Sequence, residues 1–282
     1  MLELMLPALV ASLVLLGLHG YLGIHIIARG VIFVDLALAQ VAAMGWAAAN
    51  LGLATWIGNL LGIPASTAAY SVGLAATLVA AGLFSVSRMK HAFVPQEAII
   101  GIVFVVASAG TILLAAQAPR GSEHVEKLLT GSLLWVTWPD IMRLAVVYAA
   151  IGVVHWFFRD RFLTISLNPD MAGKRGLSIA WWDFLFYALF GLMVTMSVAI
   201  VGVLLVFSFL VIPAVIAFLF TTKPGYLLAI AWMSGTIATS LGLLVSFQAD
   251  LPTGPVVVCS FALVLIAAFG LWAAMGRLEP VA

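Results

Sequence analysis

Polar side chains are scarce in this chain, so three that interrupt apolar runs stand out: His19, Asp35 and Gln40. An imidazole, a carboxylate and an amide are groups that a divalent cation can use while crossing an apolar barrier. An ionisable group near the centre of a membrane span costs about 2.5–3.5 kcal/mol, so it normally faces an interior or a cavity. Gln40 falls near the middle of its apolar stretch. Asp35 lies roughly 7 Å from one edge at 1.5 Å per residue. His19, on the preceding antiparallel stretch, falls between those depths. The three are expected to line one substrate path, with Asp35 and His19 as the metal ligands. A competing reading makes Asp35 a helix-starting acid that meets the helix dipole, and His19, with Gly17 and Gly20 beside it, a packing residue.

The second concentration of chemistry is RDRFLTISLNPDMAGKRG, Arg159–Gly176. It holds Arg159, Arg161, Lys174 and Arg175, four of the twelve Lys and Arg residues. Flanked by apolar runs on both sides, it must sit in water between two spans, and its charge places it on the cytoplasmic face. A basic segment of this kind points to a soluble partner. At the far end of a later span, QADLPTGP places Gln248 and Asp250 at an outer entrance, with Pro252 and Gly254 forming the turn. The external stretch GSEHVEK, with Glu123 and His124, reads as a solvated loop.

The elements that carry these residues follow from composition. The 282 residues are 65% hydrophobic and 8% charged, with a mean hydropathy of +1.22. Too little polar surface exists to cover a soluble globule. Spans need about 20 apolar residues each, and barrel-type alternation is absent, so the fold class is an all-α polytopic membrane bundle. Hydropathy predicts spans near 4–27, 31–53, 66–87, 98–117, 140–158, 178–198, 199–221, 226–247 and 256–275. No charge separates the sixth from the seventh, so eight spans is the alternative count. With the N-terminus outside and the C-terminus cytoplasmic, Arg29, Arg88, Lys90, Arg159, Arg161, Lys174, Arg175, Lys223 and Arg277 fall inside; Arg120, Lys127 and Arg143 do not. That distribution fits the positive-inside rule and favours nine. The first apolar run lacks a basic leader and a small-residue cleavage site, so it reads as a span. Cys259 is expected to be a packed thiol. His91 and His155 are expected at solvated or interfacial helix ends, and Trp135, Trp138, Trp181 and Trp182 in interfacial belts. Asp35 is read as the one acid clearly inside a span.

Several motifs together resemble the ABC-3 family of metal-importer permeases: Arg29-Gly30 followed by Gln40 and Gly45; EAIIGIVF (Glu97–Phe104); LLTGSLLWV with Asp140 (Leu128–Asp140); NPDMAGKRG (Asn168–Gly176); VGVLLVFSFLVIPAVIA (Val201–Ala217); and DLPTGPVVV (Asp250–Val258). They cover most of the chain. The resemblance implies a single permease domain over residues 1–282 in a bacterial-type inner membrane, moving zinc, manganese or iron inward. It also implies a second copy of the chain, separate cytoplasmic ATPases and an extracytoplasmic metal-binding protein. The segment near 159–177 is then the ATPase-coupling element, carried by Phe162, Asp170, Lys174, Arg175 and Gly176. The family pattern, aligned through Arg29 and Gly45, expects a carboxylate at position 36 and an imidazole at position 40; this chain has Leu36 and Gln40. A different metal, or a metal carried as a chelate, is the corresponding alternative.

The chain has no G-x-x-x-x-G-K-[ST] loop, so ATP hydrolysis is assigned to another polypeptide. Nor does it contain HExxH or GxSxG, which argues against a membrane enzyme. No bound cofactor and no nucleic-acid partner are expected; the metal is cargo. A secondary transporter would carry its own coupling acids or broken helices, and a siderophore or cobalamin permease would be longer.

Overall fold

The computed structural model describes residues 2–88, 94–117 and 133–276, with side chains from residue 5 onward. Lys90, His91, Arg120, Glu123, His124, Lys127, Arg277 and residues 128–132 of the LLTGSLLWV motif lie outside the described residues. Helix α1 runs Leu2–Arg29 and α2 runs Val34–Ala48. A π-turn at Ala49–Leu53 leads into α3, Ala54–Leu61. Then follow α4 (Ala65–Ser87), α5 (Gln96–Ala115), α6 (Trp138–Phe157), α7 (Arg159–Leu167), α8 (Pro169–Lys174), α9 (Ile179–Val201), α10 (Val203–Phe220), α11 (Pro224–Ala249) and α12 (Thr253–Ala274).

Among the described residues, nine helical stretches are long and apolar enough to cross a membrane, and every described segment is helix or connection. The span count expected from hydropathy is therefore met. Its soft boundary lies at Gly202 (φ 83°), the single residue between α9 and α10. The second span is broken: Leu51 and Gly52 leave the helical region, with Gly52 at φ 116°, a conformation glycine reaches without steric penalty.

The described residues group into two compact units. One takes Met1–Ala28, Thr130–Tyr148 and Ile200–Ala282; the other takes Arg29–Leu129 and Ala149–Ala199. Each draws on both halves of the chain, so neither is a separable block of sequence.

In the first unit, small residues let helices approach closely, the usual solution where lipid gives apolar side chains little reason to associate. Gly23 lies against the Leu210 carbonyl and Ala214, and Gly235 against Leu16. A Cβ on Gly242 would fall 2.7 Å from the Val257 Cα. The Trp232 indole donates to the Gly17 carbonyl at 3.1 Å. Ile24, Ala214, Ala217, Leu227 and Ala231 form a buried cluster at the Arg29 end of α1.

In the second unit α2 packs on both α4 and α5. Gly45 and Gly73 make the α2–α4 crossing tight: a Cβ on either would meet the opposing backbone at about 3 Å. Helix ends gather on one face. The Gln96 amide donates to the Phe84 carbonyl at 2.8 Å, and the Phe33 N–H donates to Glu97 Oε1 at 3.0 Å. These contacts put the start of α5 beside the end of α4 and the start of α2.

Three expectations are corrected here. Cys259 is exposed on α12 rather than packed. Trp182 is buried, whereas Trp135, Trp138 and Trp181 are exposed as an interfacial belt requires. Gly254 lies inside α12; the preceding turn is made by Asp250 in the left-handed region (φ 52°) and by Pro252 at the helix start.

Candidate functional site

Asp35 is the second residue of α2, and its buried carboxylate accepts from the Leu36 N–H at 2.7 Å. It belongs to the first helical turn, where an acid meets the dipole. Gln40 is half-buried. Five residues at 100° each turn it about 140° from Asp35, so the two side chains leave α2 on nearly opposite sides. The structure therefore does not bring Asp35 and Gln40 to one face. Positions 36 and 40 do share a face, and both Leu36 and Gln40 are half-buried there. His19 is fully buried in the first unit, with Nδ1 2.9 Å from the Leu15 carbonyl and 3.4 Å from the Tyr148 hydroxyl. Its Nε2 has no hydrogen-bond partner among the described residues. No group of three His, Cys, Asp or Glu side chains able to hold a metal occurs among the described residues.

A cavity of about 170 Å³ opens in the second unit. Ala39, Ala42, Ala43 and Trp46 of α2 line it with Tyr70 and Gly73 of α4 and Thr195, Val198 and Ala199 of α9. Its α2 face is the Asp35 side, and Gln40 points away from it. At the α11–α12 turn, Gln248 and Asp250 are exposed. Ser246 and Thr253 brace that turn: their hydroxyls lie 2.8 Å apart, and Ser246 donates to the Leu251 carbonyl at 2.7 Å.

The basic segment folds as two short helices rather than one. Pro169 starts α8 with its φ already preset for a helix. Gly176 follows at φ 67°. The segment has two sides. Phe162, Ile165, Ser166 and Ala172 are buried, while Asp170, Met171, Lys174, Arg175 and Gly176 are exposed. Phe162, expected among the coupling residues, stacks on His155 with centroids 4.3 Å apart, and so anchors the segment. His155 is accordingly buried rather than solvated. Arg161 lies over the Trp182 ring at 4.7 Å, which explains why Trp182 leaves the interfacial belt.

Beneath these helices is a cluster the sequence reading missed. Asp183, four residues into α9, is fully buried and pairs with Arg29 at 2.5 Å and with Arg88 at 3.1 Å. Asp35 is therefore not the only acid inside a span. The signal was present: an acid following two tryptophans in a predicted span, with two arginines at the ends of other spans needing a partner.

Residues 1–271 match the ABC 3 transport family. The chain belongs to that family. Among curated relatives, it is 27% identical over 263 residues to the manganese transport system membrane protein MntC of Listeria monocytogenes, covering 93% of this chain and 88% of that one. It is 26% identical over 209 residues to the chelated iron transport system membrane protein YfeC of Yersinia pestis, covering 74% of this chain and 69% of that one. Among solved structures, PsaBC from Streptococcus pneumoniae in complex with Fab aligns with a TM-score of 0.74 at 22% identity, covering 94% of this chain and 91% of that one. A metal-chelate type ABC transporter in an inward-facing conformation aligns at 0.65 and 19%, covering 96% and 85%. At these identities the two structures establish the shared fold. The ABC 3 chain described here is thus a multi-pass membrane protein of permease architecture. Leu36 and Gln40, where the resemblance leads one to expect an acid and an imidazole, share a half-buried face of α2.

Proposed function

We propose that this chain is the permease of an ATP-driven importer for a divalent metal ion, working as two copies with separate ATPases and an external binding protein. The observation that carries the reading is the family match over residues 1–271, supported by relatives named for manganese and chelated iron transport. The face bearing Arg29, Arg88 and the basic segment is cytoplasmic by the positive-inside rule, which leaves the N-terminus outside and the C-terminus inside. The exposed side of the segment, Asp170 to Gly176, docks on an ATPase, and its buried side is fixed to the permease. The Leu36–Gln40 face of α2 lines the path. Asp35 starts that helix, and His19 packs within α1. Asp250 lies at the entrance, where the delivering protein docks.

Amide and apolar side chains on the path hold a metal weakly, which suits a conduit that must release its cargo. Selection then belongs to the external protein. Transport of a metal chelate is the second reading, favoured by the neutral Gln40. Proteoliposomes holding the whole complex decide between them. Uptake of free manganese, zinc or iron by wild type supports the ion reading; uptake of a chelate alone refutes it. A reversal of metal preference by Gln40→His, with the binding protein unchanged, would make the permease the selector and overturn the weak-path account. Asp170→Lys and Gly176→Val should uncouple uptake from ATP hydrolysis in protein that is still inserted. Wild-type uptake in both would remove the segment from the coupling role.

A further inference from the structure

We infer that Asp183, with Arg29 and Arg88, is a positioning device that carries movement of α7 and α8 into α2. The inference rests on the coupling role proposed above. Asp183 is fully buried, the Arg29 side chain is 1% exposed and that of Arg88 is 21% exposed. One carboxylate faces two guanidinium groups, and each arginine also donates to the last turns of α7. Arg29 Nε donates to the Ser166 hydroxyl at 2.9 Å, and Arg88 Nη2 donates to the Ile165 carbonyl at 3.4 Å. Both acceptors lie in the last turns of α7, one turn after the Phe162 ring that stacks on His155. Arg29 also lies over Phe186, with its Cζ 3.9 Å from the ring centroid. A planar guanidinium with five donors is suited to gripping two elements at once, where lysine would act as a point charge.

The other end of the linkage is α2. Arg29 is the last residue of α1, and Gly30 (φ 68°) follows it. Four residues later α2 begins, with the residue before it tied to Glu97 through the Phe33 N–H. A shift of α7 therefore pulls on Ser166 and Arg29, and through a four-residue connection on the helix that carries Leu36 and Gln40. Stability alone gives little reason for such a triad. A buried ion pair commonly gains little over apolar residues of the same volume, and charges within spans carry an added insertion cost. What the triad supplies is a fixed junction between α7, α1, α4 and α9.

The test uses the whole complex in proteoliposomes, reading metal uptake and ATP hydrolysis on the same sample. Asp183→Asn should lower uptake per ATP hydrolysed by about tenfold, within the usual range for coupling between sites. Ser166→Ala removes the Arg29–Ser166 contact and Arg88→Gln removes one of the two ion pairs to Asp183, and each should lower it by roughly threefold. Basal hydrolysis and the amount of assembled complex should stay at wild-type levels in both. These two variants keep the test decisive if Asp183→Asn fails to assemble. An unchanged ratio in both, or losses of uptake and hydrolysis that track the amount of complex, would reduce the triad to packing. Docking is read separately, from cross-linking of Met171→Cys to the ATPase in a Cys259→Ser background. A cross-link with an unchanged ratio refutes the triad alone. A changed ratio without a cross-link refutes docking and leaves the triad standing.

Discussion

The unit built on α10, α11, α12 and most of α1 is closed by glycines and alanines pressed against opposing backbone. The unit built on α2, α4, α5 and α9 contains a broken span, a cavity and a buried charge triad. Both sit in the same solvent, where lipid offers helices no hydrophobic gain from pairing and packing must do the work. The first unit uses that packing at Gly23, Gly235 and Gly242, as the second does at Gly45 and Gly73. The second departs from it at Gly52, at the cavity and at Asp183. Breaks and cavities allow rearrangement, so the second unit is the one expected to move.

Substitutions can break this contrast. The largest effect is expected from Gly23→Val, because any Cβ there drives into the Leu210 carbonyl. The cost should reach about 3 kcal/mol, the upper range for overpacking, and abolish the monodisperse peak in detergent size-exclusion chromatography. Gly270→Ala, with no atom within 4 Å of the added methyl, should change stability by less than about 0.5 kcal/mol. A tolerated Gly23→Val would dissolve the distinction between the units.

The second pair of substitutions divides the work along α2. Gln40→Leu should cut uptake roughly tenfold, as removal of an interaction made during passage would, in a protein of unchanged melting temperature. Asp35→Asn should instead lower stability by about 0.3–1 kcal/mol through the lost dipole interaction. Equal uptake losses without destabilisation would restore Asp35 to the path. A smaller effect follows at the break. Gly52→Ala should cost roughly 1 kcal/mol, since alanine is strained at φ 116°. If it stabilises the protein, the break is not a fixed feature of the span.

How much of this was legible follows from what the sequence encodes. Span number and extent are a matter of hydropathy, and the helices begin and end within about four residues of expectation, except the second span, which continues past the break at Gly52 to Leu61 instead of ending near 53. The pairing of Asp183 was not legible, because its arginines are 154 and 95 positions away and only the bundle brings them together. Direction along α2 was half legible. The 100° step per residue sets Asp35 apart from Gln40 around the helix, yet depth alone grouped the two. The burial of His155 and Trp182 was missed because both depend on how α7 folds back, which local composition does not report.

The smallest effect is expected at the α11–α12 turn. Asp250→Gly should raise stability by roughly 0.5 kcal/mol, since glycine occupies the left-handed region without penalty. A stabilised protein whose uptake nonetheless falls would show the carboxylate acting at the entrance; unchanged uptake would assign Asp250 to the turn alone.

Gly202 decides the sidedness of everything after it. Were residues 179–220 one uninterrupted helix, it would be about 60 Å long, twice the roughly 30 Å of hydrocarbon it must cross. Two consecutive spans must cross in opposite senses, and only Gly202 stands between α9 and α10. No charged loop marks that reversal for the insertion machinery. Parity therefore rests on one residue, and with it the side on which the α11–α12 turn and its Asp250 emerge. Without it, every later connection would emerge on the opposite side of the membrane.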